Sequence, residues 1–261
     1  MKRRTFLPLI PAALLAACGP KKERNELIVG MEMEYPPFEF KNKEGKPDGV
    51  EVRMAEELAK YLGKPLKLEE YAFDGLIPAL QSGQIDLILS GMTATDERRK
   101  SIDFSDPYVR TAIAMMVQKN SQIKSVEDLK KPGAKVAVKT ATTGETYARS
   151  FMPREAVSNF DAEVACVMEV SQGRADAFIY DQLSLYKRAK ENASTVKAIL
   201  TPIREEEWGI GIKKGNDELR NKVNAFIKEF REKGGLNKLA DQYLVEERKM
   251  LQEMGYPFIF H

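Results

Sequence analysis

The sequence predicts an α/β protein of two similar lobes, each a mostly parallel sheet flanked by helices. Apolar runs typical of strands alternate with segments of helical periodicity along most of the 261 residues. Hydrophobic residues make up 43% and charged residues 31%, a composition typical of globular proteins. A pattern of Gly, two residues, Asp and a buried strand occurs in "SGQIDLILSG" (82–91) and again in "QGRADAFIYD" (172–181). This repeat suggests two related lobes whose strand ends meet at a common cleft, unless two short units are alike by chance.

The first lobe is predicted from a regular order of elements. "NELIVGMEM" (25–33) alternates like a strand and precedes a Pro-Pro break. Apolar residues recur at helical spacing from Val50 to Leu62, where a Gly and a Pro end the helix. "PLKLEEY", "DGLIPALQSG" and "IDLILS" then predict a strand, a short helix and a buried strand. The order β, α, β, α, β favours a parallel sheet.

The second half repeats this order and ends in helices. "PYVRTAIAMMVQKN" and "KVAVK" predict strands, a helix begins near Thr143, and "WGIGIKKGN" is a further strand. "DELRNKVNAFIKEFREKGG" and "LNKLADQYL" have one apolar helical face each. Cys166 lies among apolar neighbours and is expected in the core. The tail "VEERKMLQEMGYPFIFH" suggests no function, and we expect it to pack on the first lobe.

The N-terminus is typical of an export signal, predicted over residues 1–17. Basic residues precede an apolar run of twelve residues, too short to span about 30 Å of hydrocarbon as a helix. "LAACG" resembles a bacterial lipobox, which implies that Cys18 is lipidated and that 18–25 is a flexible tether. The alternative is an ordinary signal cut near Ala17. "RRTFL" also resembles a twin-arginine motif, so the export route and the membrane that carries the lipid stay open.

Several function classes are disfavoured. The chain has 41 Lys and Arg and 39 Asp and Glu, a net charge of +2. This near balance does not indicate a basic surface for binding nucleic acid. No later segment has 18 consecutive apolar residues, so no membrane span is expected. The one histidine is His261, so no catalytic triad and no Cys and His set for zinc is expected. We predict no catalytic residues, no metal and no cofactor.

Polar residues follow the buried strand that ends at position 89. They are the hydroxyl residues Ser90 and Thr93, with the small Gly91 and the candidate Met92 between them and Arg98 five residues beyond Thr93. The planar guanidinium of Arg98 can bind a carboxylate through two parallel hydrogen bonds. The alternative is that "TDERRK" is a solvated helix face.

A second polar cluster follows the strand that ends at Lys139. Thr142 and Thr143 stand at a helix N-terminus, which can bind an anion, although plain N-capping explains them as well. Asp181 ends the apolar run "AFIY", where an ionised carboxylate needs a cation. Arg98 and Asp181, one from each lobe, would make a clamp for an α-amino acid.

Other residues are candidates for contact with the ligand's side chain. Glu32 favours a basic or amide group, unless its charge is simply exposed, and Lys139 favours an amide or acidic one. Glutamine satisfies both, while arginine and lysine stay open. The full set of candidates is Glu32, Tyr35, Phe38, Val50, Tyr71 and Lys139.

Five stretches together resemble the family 3 solute-binding proteins of amino-acid ABC importers. They are "EYPPFEF", "GVEVRMAEELAKYLG", "FDGLIPALQSGQIDLILSGMTATDERRKSIDFSDPY", "KVAVKTATTGETYA" and "GRADAFIYDQ". The resemblance implies the two-lobed type II periplasmic-binding fold, with the ligand in the cleft. It implies a first lobe of 26–110 and 213–261 and a second of 111–208. Crossing strands near 109–116 and 206–212 would act as the hinge.

The resemblance also implies roles for individual residues. Arg98 would bind the ligand's carboxylate, Asp181 its ammonium, and Tyr35 would stack on it, with Glu32 contacting the side chain. Hydroxyl and backbone contacts would come from Ser90, Gly91, Thr93 and Thr143. Val50 stands where members often have an aromatic residue and Ala141 where they often have glycine, so the pocket walls are expected to differ.

The resulting prediction is a monomeric, lipid-anchored receptor outside the cytoplasm. It would deliver a polar or basic L-amino acid to an ABC transporter permease without covalent chemistry. The alternative on the same fold is a periplasmic cyclohexadienyl dehydratase acting on prephenate or arogenate. A sensory input module would need a second membrane segment or a fused signalling domain, and neither is expected.

Overall fold

The structure is a computed structural model that describes residues 25–260. The predicted export signal (1–17), Cys18 and the tether up to residue 24 lie outside the described residues, as does His261.

The first of two large sheets is built mainly from the first half of the chain. Its strands lie in the order β5-β1-β6-β13-β7. β5, β1 and β6 are mutually parallel, whereas β13 runs antiparallel to both of its neighbours. The bounds are β1 Leu27–Met31, β5 Leu66–Glu70, β6 Leu87–Ile88, β7 Ile102–Phe104 and β13 Gly211–Lys213.

Helices and a small antiparallel sheet complete this half. α1, α7 and α8 pack on one another, and α2 packs on β1, β6 and β13. The helices are α1 Val50–Tyr61, α2 Leu76–Ser82, α3 Asp96–Ser101, α7 Asp217–Glu232, α8 Gly235–Tyr243 and α9 Val245–Glu253. The small sheet consists of β2 Glu34–Tyr35, β3 Glu39–Lys41 and β4 Pro47–Asp48.

The second large sheet has the order β10-β9-β11-β8-β12. β10, β9 and β11 are parallel, and β8 is antiparallel to both β11 and β12. Three helices pack on it. The bounds are β8 Val109–Gln118, β9 Val136–Lys139, α4 Thr143–Phe151, β10 Val157–Phe160, α5 Glu163–Ser171, β11 Ala177–Asp181, α6 Gln182–Glu191 and β12 Val196–Trp208.

The repeated Gly-x-x-Asp pattern makes the same connection in both sheets. The glycine of each copy has a positive φ, 76° and 70°, and ends a helix. Oδ2 of Asp86 accepts a hydrogen bond from N–H of Ile28 at 2.9 Å, and Oδ2 of Asp176 accepts one from N–H of Lys135 at 2.8 Å. Each aspartate thus fixes the start of its strand beside the neighbouring parallel strand, so the repeat has a structural basis.

The chain passes twice between the two sheets. It leaves the first between Phe104 and Val109 and returns between Trp208 and Gly211. The predicted lobe boundaries lie within a few residues of these passages. Which residues move together as a lobe stays a prediction.

Two predicted strands are shorter than expected. The strand predicted over 25–33 ends at Met31 because Met33 has a φ of 63°, and this turn separates a buried Glu32 from an exposed Glu34. "WGIGIKKGN" is split, since Trp208 ends β12 and a new strand starts at Gly211 in the other sheet.

The C-terminal tail contacts both halves rather than the first alone. It contains α9, which the sequence analysis did not predict. The carbonyl of Ile259 accepts a hydrogen bond from N–H of Arg110 in β8 at 3.0 Å, and Glu246 pairs with Lys190 of α6 at 2.8 Å. Within residues 25–260, no helix is long and apolar enough to cross a bilayer.

Cys166 is buried in the apolar core, as predicted. Burial raises the pKa of its thiol to about 12.

Candidate functional site

A cavity of about 30 Å³, room for one or two water molecules, lies where the ends of the two large sheets face each other. Residues from both halves line it: Glu32, Tyr35, Glu39, Phe73, Ser90, Gly91, Thr93, Arg98, Ile113, Thr142, Thr143, Tyr180, Asp181, Glu206 and Trp208.

Arg98 joins the two halves across this cavity. It lies in α3, whose N-cap Thr95 accepts a hydrogen bond from its backbone N–H. Nη1 donates to the carbonyl of Thr93 at 2.8 Å, and Nη2 donates to the carbonyl of Ala141 at 2.9 Å. The guanidinium lies 5.4 Å from the centre of the Phe73 ring. Burial lowers its pKa to about 10, so Arg98 stays charged at neutral pH.

Asp181 lies at the end of β11 and is the N-cap of α6. Its Oδ1 accepts hydrogen bonds from the N–H groups of Leu183 (2.9 Å) and Ser184 (3.1 Å) and from the hydroxyl of Tyr35 (2.6 Å). Oδ2 accepts one from Thr111 at 2.8 Å. Burial raises the pKa of Asp181 to about 6, while these hydrogen bonds oppose the shift. The carboxylate is therefore held in a fixed orientation by both halves.

Glu206 is a lining residue that the sequence analysis missed. Its Oε2 accepts hydrogen bonds from the hydroxyls of Thr93 at 2.8 Å and Thr143 at 2.9 Å, and its Oε1 accepts one from Arg204 at 2.7 Å. The two hydroxyls predicted for a ligand thus donate to the protein's own carboxylate. Alternation along β12 was an available signal, because Glu206 shares a face with the buried Trp208.

Two further predicted donors are also bound within the protein. The Ser90 hydroxyl accepts from N–H of Glu32 at 3.1 Å and donates to Glu39. N–H of Gly91, at a φ of 51°, donates to both oxygens of the buried Glu51 at 2.9 and 3.1 Å. Burial raises the pKa of Glu51 to about 7. The N–H of Gly91, which we expected to face a ligand, is therefore already paired.

Glu32 and Lys139, whose preferences conflict in the sequence analysis, form an ion pair of 2.6 Å. Their exposed fractions are 7% and 1%. Burial raises the pKa of Glu32, and the neighbouring Lys139 partly offsets the shift. Nζ of Lys139 also lies 5.8 Å from the centre of the Tyr180 ring. Lys139 is absent from the cavity lining and neutralises a residue that lines it.

Three other predicted contacts differ from expectation. The side chains of Val50 and Met92 are buried in apolar clusters and do not line the cavity. Burial among apolar neighbours is more favourable for these side chains than contact with a polar cleft. Thr142 does line it, but its hydroxyl caps α4 and donates to the carbonyl of Lys139 at 2.7 Å. The N-capping alternative therefore describes the Thr142 side chain.

Aromatic rings form one wall of the cavity. The Tyr35 ring stacks on Phe38 at 5.3 Å and lies 5.7 Å from Trp208 and 6.1 Å from Tyr180. Tyr35, Tyr180 and Trp208 line the cavity, and the last two were not predicted from the sequence. The predicted contacts Phe38 and Tyr71 do not line it, because both pack in apolar clusters. Within residues 25–260, no group of three or more His, Cys, Asp and Glu side chains is placed to hold a metal ion.

Comparison with known proteins shows similarity along nearly the whole described chain. The family described as bacterial extracellular solute-binding proteins, family 3, matches residues 27–246. The L-cystine-binding protein TcyJ of Escherichia coli (strain K12) is 35% identical over 254 residues, covering 92% of this chain and 95% of that protein.

Two solved structures share the fold, each with a TM-score of 0.78 and 39% identity over 84% of this chain. One is an ancestral arginine-binding protein bound to arginine, of which 98% is covered. The other is the ancestral amino acid-binding protein AncCDT-1, a precursor of cyclohexadienyl dehydratase, of which 95% is covered.

Proposed function

The chain belongs to the bacterial extracellular solute-binding proteins of family 3, and on that premise we propose that it binds a polar or basic L-amino acid for an ABC importer. One observation carries the proposal. Arg98 and Asp181, on opposite halves, both line one cavity, and each has a hydrogen bond to the other half. A guanidinium suits an α-carboxylate, and a buried carboxylate suits an α-ammonium.

Binding in this proposal works by closure of the two halves. Three contacts join the halves across the cavity and can form only when the halves approach. They are the hydrogen bonds from Arg98 to Ala141 and from Tyr35 to Asp181, and the Glu32–Lys139 ion pair. A ligand with greater affinity for the closed arrangement shifts the population toward it. The closed protein then docks on a membrane permease.

The position of the protein in the cell is also part of the proposal. Residues 1–17 would direct export, and lipid on Cys18 would tether a monomer to a membrane by the segment up to residue 25. The family description places the protein outside the cytoplasm. The lipid is testable by mass spectrometry of the N-terminal peptide, where Cys18→Ser should abolish the added acyl mass.

A dehydratase on the same fold is the other candidate. The named relatives are binding proteins, including a glutamine-binding and an arginine-binding protein of Bacillus subtilis at 31% and 32% identity. This favours binding over catalysis for the present chain.

A thermal-shift panel separates the two functions. Protein freed of bound ligand by unfolding and refolding is measured against the twenty amino acids, cystine and prephenate. A ligand at about 1,000 times its Kd stabilises the native state by about 4 kcal/mol, an easily measured shift. A higher midpoint with one or a few amino acids supports the proposal. No shift with any amino acid, together with turnover of prephenate, refutes it.

A further inference from the structure

Resting on the amino-acid-binding function above, we propose that Glu39 recognises a positively charged side chain, so that the ligand is a basic amino acid. Glu39 lies in β3, in the small sheet beside the cavity, and was not among the candidates found from the sequence.

The two carboxylate oxygens of Glu39 have different surroundings. Oε1 accepts a hydrogen bond from the hydroxyl of Ser90. Oε2 has no hydrogen-bond partner among the described residues, although the side chain is fully buried. A buried carboxylate oxygen without a donor is costly, and a cationic donor on the ligand would remove that cost.

Ser90 holds this carboxylate in place. The same hydroxyl accepts from N–H of Glu32, so Glu39 is fixed relative to the end of β1. The free oxygen of Glu39 therefore has a fixed position within the first half before a ligand binds.

The charges around the cavity point to a cationic ligand. The cavity lining has four carboxylates, those of Glu32, Glu39, Asp181 and Glu206, and one cation, Arg98. Among the described residues, Lys139 pairs with Glu32 and Arg204 pairs with Glu206.

The backbone groups of an amino acid do not change this balance. Its α-carboxylate would use Arg98 and its α-ammonium would use Asp181, which leaves Glu39 uncompensated. An amide side chain supplies dipoles but no charge, whereas an ammonium or guanidinium neutralises the remaining carboxylate. Glu32 is unsuited to this role because Lys139 already balances it.

The test compares ligands that differ in charge at nearly constant shape. Isothermal titration calorimetry gives the Kd of the purified protein for arginine, lysine, citrulline, glutamine and cystine. Citrulline matches arginine in length and has a neutral terminal group. The variant Glu39→Gln keeps an acceptor for Ser90 and removes the charge. Glu34→Gln is the matched control, since Glu34 is exposed on the adjoining strand β2.

We expect arginine or lysine to bind at least about 10-fold more tightly than citrulline, glutamine and cystine. Glu39→Gln should reduce that preference by roughly 10- to 100-fold and leave the affinity for glutamine within about threefold. Glu34→Gln should change neither. The arginine-to-citrulline ratio of the wild type tests the charge even if Glu39→Gln does not fold.

Two results would overturn the inference while leaving the proposed function intact. One is tighter binding of glutamine, citrulline or cystine than of arginine and lysine. The other is a preference for arginine that survives Glu39→Gln. Absence of binding to every amino acid would instead refute the proposed function itself.

Discussion

Removing the Arg98 side chain should abolish most amino-acid binding without unfolding the protein. Arg98 donates to carbonyls on both sides of the cavity, at 2.8 Å to Thr93 and 2.9 Å to Ala141. Only the bond to Ala141 joins the two halves, and a hydrogen bond to a charged group stabilises the closed arrangement by about 1.5 kcal/mol or more. Losing the partner of a ligand carboxylate costs about 2–5 kcal/mol in addition. Because about 1.4 kcal/mol is a tenfold change, Arg98→Ala should raise Kd at least about 100-fold.

Calorimetry with the preferred amino acid measures this effect, and the neighbouring residue provides a control. Arg99 is exposed in the same helix, with its guanidinium 5.3 Å from the Phe104 ring. Arg99→Ala removes the same charge and should leave Kd within about threefold. Arg98→Lys keeps the charge without the planar fork and should fall between the two. Equal affinities of Arg98→Ala and the wild type would show that this residue does not bind the ligand's carboxylate.

Three further outcomes are expected. Since burial raises the pKa of Asp181 to about 6, its carboxylate gains a proton below that pH. The affinity for an amino acid should therefore be constant from pH 7 to 8 and fall below pH 6 by up to tenfold per pH unit. A constant Kd down to pH 5 would contradict this role of Asp181. Lys139→Met leaves Glu32 buried without its cation, at a cost of about 3–5 kcal/mol in urea unfolding of the ligand-bound protein. The double variant with Glu32→Gln should recover most of the lost unfolding free energy. An equal loss in Lys139→Met and in the double variant would argue against a stabilising Glu32–Lys139 pair. Burial raises the pKa of Cys166 to about 12, so a thiol reagent at neutral pH should label it only in concentrated urea, whereas rapid labelling of the native protein would disprove its burial.

Local patterns in the sequence determined the element types, the class of fold and two important site residues. Strand and helix periodicities depend on neighbouring residues, so they predicted β1, α1 and α2. They also predicted β6 and β11, the two strands that follow the repeated Gly-x-x-Asp pattern. Asp181 was found because it ends a recognisable buried strand, and Arg98 because it lies just beyond the hydroxyl-rich loop that follows another. The resemblance to family 3 then joined these pieces into one protein.

Only the tertiary structure revealed which polar groups already bind one another. Glu206 meets the hydroxyl of Thr93 from 113 positions away, and Lys139 meets Glu32 across 107. Glu39 stands between two phenylalanines in "PPFEF", and Glu206 stands in the charged stretch "REEEW". Alternation places Glu206 on the face of Trp208, but neither local pattern identifies the groups that pair with these carboxylates.

The reason is that burial of a charge depends on what closes over it. No periodicity within a strand encodes the approach of the second half of the chain. The sequence therefore identified residues capable of binding an amino acid, while the packing of the two halves decided which of them are already paired and left Oε2 of Glu39 for a ligand.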